Sequence, residues 1–407
     1  LGFKPSLKAG SLGIVVKGGL VMPSVTRRSW LKRLLVLSSA QPFISLNALA
    51  AAQSTTQSTT QPTTQSTNYP TVLPRPLDFP RDFGAHPDFR TEWWYLTGWL
   101  DSGAQPIGFQ VTFFRSRTRH PTKNPSRFAP QQLMFAHAAL ALPDEGKLRH
   151  AEISGRVGPA GISFDTTDTA LQMSDWQLRR TPTDRYEVFI PSDDFTLSLE
   201  AQPTGDPVLR GQAGYSRKGP APDLASYYYS RPQMRVSAQV TLKDRSTSNS
   251  SNTQQLDLTG TAWFDHEWSS SLLMAGGVGW DWIGINLFDG SSLMAFRIRD
   301  AAGQTLFSEW DWRDAQGNRI QEQTEAEWVP LGSWRSPHSL VVYPEGFTLN
   351  TPNRQWQLKP LMADQEVDAR ASTGGFYYEG AVELLENGKV IGRGYLELTG
   401  YGQPLRL

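Results

Sequence analysis

Two distant stretches of this sequence answer each other. WYLTGWLDSG (Trp94–Gly103) and WIGINLFDGS (Trp282–Ser291) each place an aspartate seven residues after a tryptophan, beside a glycine-containing turn. Each leads into a run ending in arginine, FQVTFFR and LMAFRIR. Further on, YYY (Tyr227–Tyr229) answers FYY (Phe376–Tyr378), and LDLTG (Leu256–Gly260) answers LELTG (Leu396–Gly400). Four matches in one order indicate a duplicated unit, with its boundary near residue 270. That constrains the chain to two copies of one architecture.

The architecture follows from the hydropathy period. RYEVFIPS, FTLSLEAQ, MRVSAQVTLKD and AVELLENGKVIGRGYLELTGY alternate apolar and polar residues, as half-buried strands do. ENGKV and DSGAQ supply hairpin turns. Many short strands at this spacing predict an all-β sandwich or barrel. The 14 Trp, 19 Phe and 12 Tyr residues suit strands and apolar pockets. KDRSTSNSSNTQQ (Lys243–Gln255) reads as an extended hairpin tip that lengthens the first copy.

Composition removes several functions. The formal net charge is zero, so nothing favours nucleic acid as a partner. There is no cysteine, which excludes disulfides, a thiol nucleophile and thiolate metal ligands. A Gly-x-Ser-x-Gly elbow, a His-Glu-x-x-His pair and a phosphate-binding glycine loop are all missing from the sequence.

The N-terminal 52 residues read as an upstream extension followed by an export signal beginning at Met22. TRRSWLK, with Arg27 and Arg28, precedes a modest apolar run from Leu34 to Leu46 and an Ala48-Leu49-Ala50 cleavage motif. That is the pattern of a twin-arginine signal and predicts a periplasmic or secreted protein. Residues 53–75 are rich in Gln, Ser, Thr and Pro and predict a disordered linker. Residues 76–270 and 271–407 then form the two copies.

HPDFRTEWWYLTGWL, YYYSRP, TAWFDHEWSS, GWDWIGINLFDG, YPEGF and GYLELTGY together resemble the AttH-like and carotenoid 1,2-hydratase superfamily, from about residue 76 to the C-terminus. The resemblance implies two lipocalin-like (calycin-type) antiparallel β-barrels in tandem. Barrels of that size have room for one small apolar ligand. Some members add water to a terminal isoprenoid double bond of acyclic carotenoids; others are secreted proteins linked to membrane transport systems. The resemblance therefore implies a secreted protein binding an apolar, isoprenoid or lipid-like molecule. The alternatives are a cofactor-free hydratase and an accessory protein of an envelope ABC-type transport system.

Hydrating an unactivated alkene requires a carboxylic acid kept neutral by an apolar pocket, aromatic faces to steady the cation, and a group to orient water. The catalytic candidates are His266, Asp265, Glu267 and Glu92; Asp281 and Glu379 are further acids. The ligand-binding candidates are Trp94, Tyr95, His137, Trp268, Trp280 and Trp282. No cofactor and no metal are expected. In WFDHEW, alternation sends Trp263, Asp265 and Glu267 to one face and Phe264, His266 and Trp268 to the other, so the polar triplet cannot converge on one ion.

By resemblance, His266 and Trp268 match the His-x-Trp pair of the hydratases. The strand expected to hold their Tyr-x-Asp pair reads SSLMAFRIR and lacks it. Structural uses compete with each assignment. His266 can be an interior histidine, and Asp265 and Glu267 can pair with Arg297 or Arg299. His137 can face a barrel lumen, and Tyr228 and Tyr378 can be equivalent structural residues. His86 and His120 sit in proline-flanked loops expected to be exposed.

Overall fold

A computed structural model describes residues 69–405, apart from residues 104, 122–123, 125, 127–128, 159–160, 244–252 and 324–325. The export-signal reading, nearly all of the linker reading and the predicted hairpin tip lie outside the described residues. Among those described there is no α-helix, only strands and one 3-10 turn, Arg81–Phe83.

The strands form two large antiparallel sheets with the same path. In the 13-stranded sheet the first strand, Thr91–Asp101, pairs with the next, Ile107–Arg117, and with the last, Thr253–Ser269. In the 10-stranded sheet, Gly279–Leu287 pairs with Ser292–Arg299 and with the last strand, Lys389–Leu398. The outer ends of each path are strands consecutive in sequence: Lys147–Arg156 with Ile162–Phe164, and Arg319–Gln323 with Glu327–Pro330. A short connection brings the first pair of ends together, with Gly158 N–H donating to Ile162 O at 2.9 Å. The result is two lipocalin-like barrels, as the resemblance implies.

Each barrel has its own core. Leu96, Phe109, Val111, Leu197 and Phe264 belong to the larger; Ile283, Leu293, Trp310, Phe347 and Trp356 belong to the smaller. A third cluster lies between them and includes Tyr95, Trp99, Tyr228, Trp263, Trp282 and Tyr395. We call this contact the seam. Burial along the strands records it. Met234 to Val240 alternates buried and exposed, as a strand with one wet face does. Ser292–Arg299 is buried at every position, because one face fills a barrel and the other meets its neighbour.

Close approach at the seam depends on small residues and cross-barrel hydrogen bonds. A Cβ on Gly108 would lie 2.6 Å from Ala381 Cβ and 2.8 Å from the Tyr395 hydroxyl. Trp99 Nε1 donates to Gly394 O at 2.9 Å. The strand Ala225–Lys243 bulges between Arg231 and Met234, where proline could not donate to the ladder. Gln233 there has φ 57°, and its amide Nε2 donates to Leu287 O and Ser291 O of the smaller barrel.

The duplication holds in topology but not residue by residue. The aromatic triplets both open the penultimate strand of their sheet, Ala225–Lys243 and Gly375–Glu386. Yet Trp94 packs in a lumen and Trp282 in the seam, and Tyr228 lies in the seam while Tyr378 lies in the smaller lumen. Tyr228 and Tyr378 are therefore not equivalent, since a shift of one residue exchanges the faces of a strand. LDLTG and LELTG are further apart: Gly260 opposes Leu100 near the end of its first strand, whereas Leu396 opposes Ile283 near the start.

Replacing Gly108 with Val drives a side chain into Ala381 and Tyr395 across the seam. The variant should lose about 2 kcal/mol of stability in urea unfolding; an unchanged midpoint would show that the seam tolerates the side chain.

Candidate functional site

The polar residues singled out in the sequence divide into two groups on opposite faces of the same strands. Alternation in Thr91–Asp101 sends Glu92 and Trp94 into the larger barrel and Trp93 and Tyr95 to the seam. On Thr253–Ser269 it sends His266 and Trp268 inward and Asp265 and Glu267 outward. Trp94 opposes His266 and Tyr95 opposes Asp265 across the ladder.

The inward group is a closed, charge-balanced node. Glu92 is fully buried. Its Oε1 accepts from His86 Nδ1 at 2.8 Å and from His266 Nε2 at 2.9 Å, and its Oε2 accepts from Arg115 Nε at 2.8 Å. Burial works against the charge on Glu92. The Arg115 guanidinium and the bonds from His266 and His86 outweigh it and hold the carboxyl well below the usual range. His86 also lies 3.1 Å, through Nε2, from Asp82 Oδ1. Placed between two carboxylates, it donates from both nitrogens as an imidazolium. Burial opposes that charge, but Asp82 and Glu92 raise its pKa all the same. Its ring stacks on Trp268 at 3.6 Å. His86 is thus buried rather than exposed, because its loop folds into the barrel mouth; His120 is exposed.

Burial lowers His266 to about 4, against the pull of Glu92, so it is neutral near pH 7. Its Nδ1 lies 3.2 Å from the Tyr229 hydroxyl, which donates to it. His86, Glu92 and His266 do bring three ligand-type atoms within 4.8 Å of one another. Arg115 already neutralises the carboxylate, however, and a dication beside that guanidinium would meet direct repulsion. This node does not line the cavities described below.

The outward group lines a cleft at the seam. It encloses about 90 Å³ and is walled by Trp93, Tyr95, Tyr228, Trp280, Trp282 and Phe296, with Asp265, Glu267, Lys218 and Glu397 among its polar groups. Trp93 stacks on Trp280, ring centres 6.5 Å apart, and Tyr95 meets Trp282 edge-on at 5.4 Å. Glu267 is ion-paired with Lys218 Nζ at 3.1 Å. The arginines expected to pair with Asp265 and Glu267 go elsewhere: Arg297 and Arg299 both bind Asp281, at 2.7 and 2.9 Å. A second cavity of about 400 Å³ shares Phe114, Trp280 and Glu397 with the first and reaches His137 and Tyr377.

Among the described residues Asp265 therefore has no salt-bridge partner. Burial raises it to about 7, although Arg210 nearby and bonds from Ser230 and Trp263 favour its charge. Glu397 is also raised to about 7 by burial, opposed by the Trp280 Nε1 bond at 2.9 Å. Glu379 stands behind Tyr95, whose hydroxyl donates to it at 2.7 Å. Burial and the charge of Glu397, its cross-strand neighbour, push Glu379 well above the usual range. His137 points to the seam rather than the lumen. Its Nδ1 lies 2.6 Å from Tyr377 Oη and its Nε2 2.7 Å from Ser372 Oγ, and burial lowers it to about 3.

Glu397, Tyr228 and Trp93 belong to the cleft but were not singled out for it. Glu397 sits in the very LELTG used to identify the repeat. An acid flanked by leucines in an alternating strand is a signal, but the apolar partner barrel that neutralises it cannot be read locally.

The raised acid makes a measurable sign. Folded Asp265 keeps its proton up to about pH 7, whereas the unfolded group loses it near 3.8. Wild-type stability therefore declines through this group as pH rises from about 4 to about 7. Asp265→Asn should gain relative to wild type across that window, by at most about 1.4 kcal/mol per pH unit, and level off above it. A stability difference independent of pH in denaturant titrations would contradict this assignment.

The family model described as AttH-like matches residues 70–401. A solved structure of an AttH from Nitrosomonas europaea is 43% identical, with a TM-score of 0.74 over 82% of this chain and 99% of its own. Kievitone hydratase from Nectria haematococca shares the fold at 15% identity, with a TM-score of 0.59 over 82% of this chain and 94% of its own. No curated protein matches. With its tandem barrels and a match spanning nearly every described residue, the chain belongs to the AttH-like family.

Proposed function

We propose that the cleft between the barrels binds an apolar, isoprenoid- or lipid-like molecule. The observation behind this reading is the lining: aromatic walls from both barrels, with Asp265 buried and Glu397 half-buried among them. Below about pH 7 such a site offers two carboxyl hydrogen-bond donors, with its charge confined to the Lys218–Glu267 pair. Trp93 and Trp280, stacked across the mouth, give an elongated ligand two flat faces. The larger cavity beyond Glu397 accommodates the rest of the molecule.

The same acids favour a second reading, a cofactor-free hydro-lyase. A protonated carboxyl gives its proton to the alkene carbon, the aromatic faces steady the cation, and water adds to it. The proton released by that water returns to the carboxylate, so nothing is consumed but alkene and water. Asp265 is the acid best placed for this role; His266, enclosed with Glu92, serves the barrel instead. The fold shared with kievitone hydratase supports only the point that such barrels can house a hydratase.

Binding is tested by quenching of tryptophan fluorescence with an acyclic isoprenoid alcohol, and by mass spectrometry of apolar material co-purified with the full chain. Trp280→Ala should weaken binding about tenfold, a loss of about 1.4 kcal/mol. Equal affinity in wild type and variant would remove the cleft from consideration. For hydration, incorporation of labelled water into an acyclic isoprenoid hydrocarbon should fall at least about a hundredfold in Asp265→Asn, with binding retained.

We also propose export by the twin-arginine route, on the strength of Arg27, Arg28 and the cleavage motif. Replacing both arginines with lysine should leave the protein in the cytoplasmic fraction, and undiminished export would end this reading.

A further inference from the structure

Asp265 is connected to the smaller barrel by a chain of side chains that the cleft itself does not use. Arg210 begins it. This residue lies between two short strands, Val208–Leu209 and Tyr215–Arg217, that pair with Ala225–Lys243. Its side chain is completely buried, 5.0 Å from the centre of the Trp263 ring. Arg210 Nη1 donates to Asp311 Oδ2 of the smaller barrel at 2.9 Å, and Nε donates to Ser230 Oγ at 2.7 Å. Ser230 Oγ donates in turn to Asp265 Oδ1. Trp263 Nε1 donates to the same oxygen at 2.8 Å.

The donor inventory fixes the direction of this chain. A guanidinium and an indole N–H can only donate. Since Arg210 donates to Ser230 Oγ, the single hydroxyl hydrogen of Ser230 is free to point at Asp265. Oδ1 then receives two hydrogen bonds and is a poor place for an acidic proton.

We propose that Arg210 is the positioning residue of Asp265: anchored on Asp311, it turns the Ser230 hydroxyl onto Oδ1 and leaves Oδ2 to hold the transferable proton. The inference rests on Asp265 as the acid of the cleft and adds the geometry that makes it one.

Asp311 is a firm anchor. Arg313 Nε and Arg319 Nε also donate to it, at 2.7 and 3.2 Å. Burial would raise this carboxyl, but the charges of Arg210 and Arg313 outweigh burial and keep it ionised. A simple clasp between barrels would need only the Arg210–Asp311 pair. It would not require Ser230 and Trp263 to converge on one oxygen, nor leave Arg210 Nη2 buried without a hydrogen-bond partner among the described residues. The other titratable groups around Asp265 are Tyr228, whose hydroxyl also hydrogen-bonds to it and favours its charge, the paired Glu267 and Lys218, and Glu397 from the smaller barrel. Arg210 is the foremost cation acting on it, and it only partly offsets the desolvation that puts the acid near 7.

The test reads the carboxyl directly. Infrared difference spectra of the full chain, without ligand, should show a protonated carboxyl band that Asp265→Asn removes. Its disappearance with pH gives the midpoint. Arg210→Gln should move that midpoint up by about one unit or more, the size of effect an adjacent guanidinium has on an aspartate. Arg210→Lys, which restores a cation, should move it less. An unmoved midpoint in Arg210→Gln with intact near-UV circular dichroism overturns the proposal. If Arg210→Gln does not fold, Ser230→Ala replaces it: loss of the Oδ1 donor should also raise the midpoint, and no change there overturns the proposal equally. Because the band is read without ligand, a failure to bind the isoprenoid probe would count against the cleft reading alone.

Discussion

Burial of strands on both faces is the constraint behind everything else in this molecule. A lone barrel has an outside, and polar residues there meet water. Here two barrels cover each other along Thr91–Asp101, residues 262–269, Gly279–Leu287 and Ser292–Arg299, so residues that alternate outward there still end up inside. Every polar group on those strands must then find a partner, be compensated, or lose its charge.

The protein uses all three solutions. Glu92 keeps its charge because Arg115 and His86 compensate it, and Asp281 holds two arginines in the smaller barrel. Glu267 retains a lysine at the edge of the cleft. Asp265, Glu379 and Glu397 have no cation bonded to them among the described residues and are raised by burial instead. Glu92 and Asp265, on opposite faces of paired strands, thus end differently: one keeps a compensated charge and the other its proton. The raised carboxyls follow from where the second barrel sits, and they need no unusual residue.

Fold and site were legible to different degrees for one physical reason. Alternation is a local property, so strands such as Met234–Lys243, the facing of WFDHEW and the repeated strand order could be read directly. A repeat match of a few residues cannot fix register. Trp94 and Trp282, matched in the repeat, lie on opposite faces, and LELTG falls opposite a different part of its first strand than LDLTG does. The candidate site was legible as a set but not as a partition. Sequence placed His266, Glu92 and Asp265 together, whereas the structure encloses the first two and exposes the third to the cleft. The missing information was which groups meet across barrels: His137 with Tyr377, Tyr95 with Glu379, Arg210 with Asp311. Those contacts join residues far apart in the chain, where no periodicity reports them.

The shared sheet path has a consequence for the order of events in biosynthesis. All 13 strands of the larger sheet precede Gly279, so that sheet's chain is complete before any strand of the smaller sheet has been made. Until the second half is translated and docks, the seam face with Trp263 and Asp265 is bathed in solvent. In that interval Asp265 is an ordinary carboxylate and the surrounding aromatics are a sticky patch. Assembly of the second barrel is therefore a maturation step without any covalent change: it hides the patch and converts an unremarkable aspartate into an acid that holds its proton near neutrality.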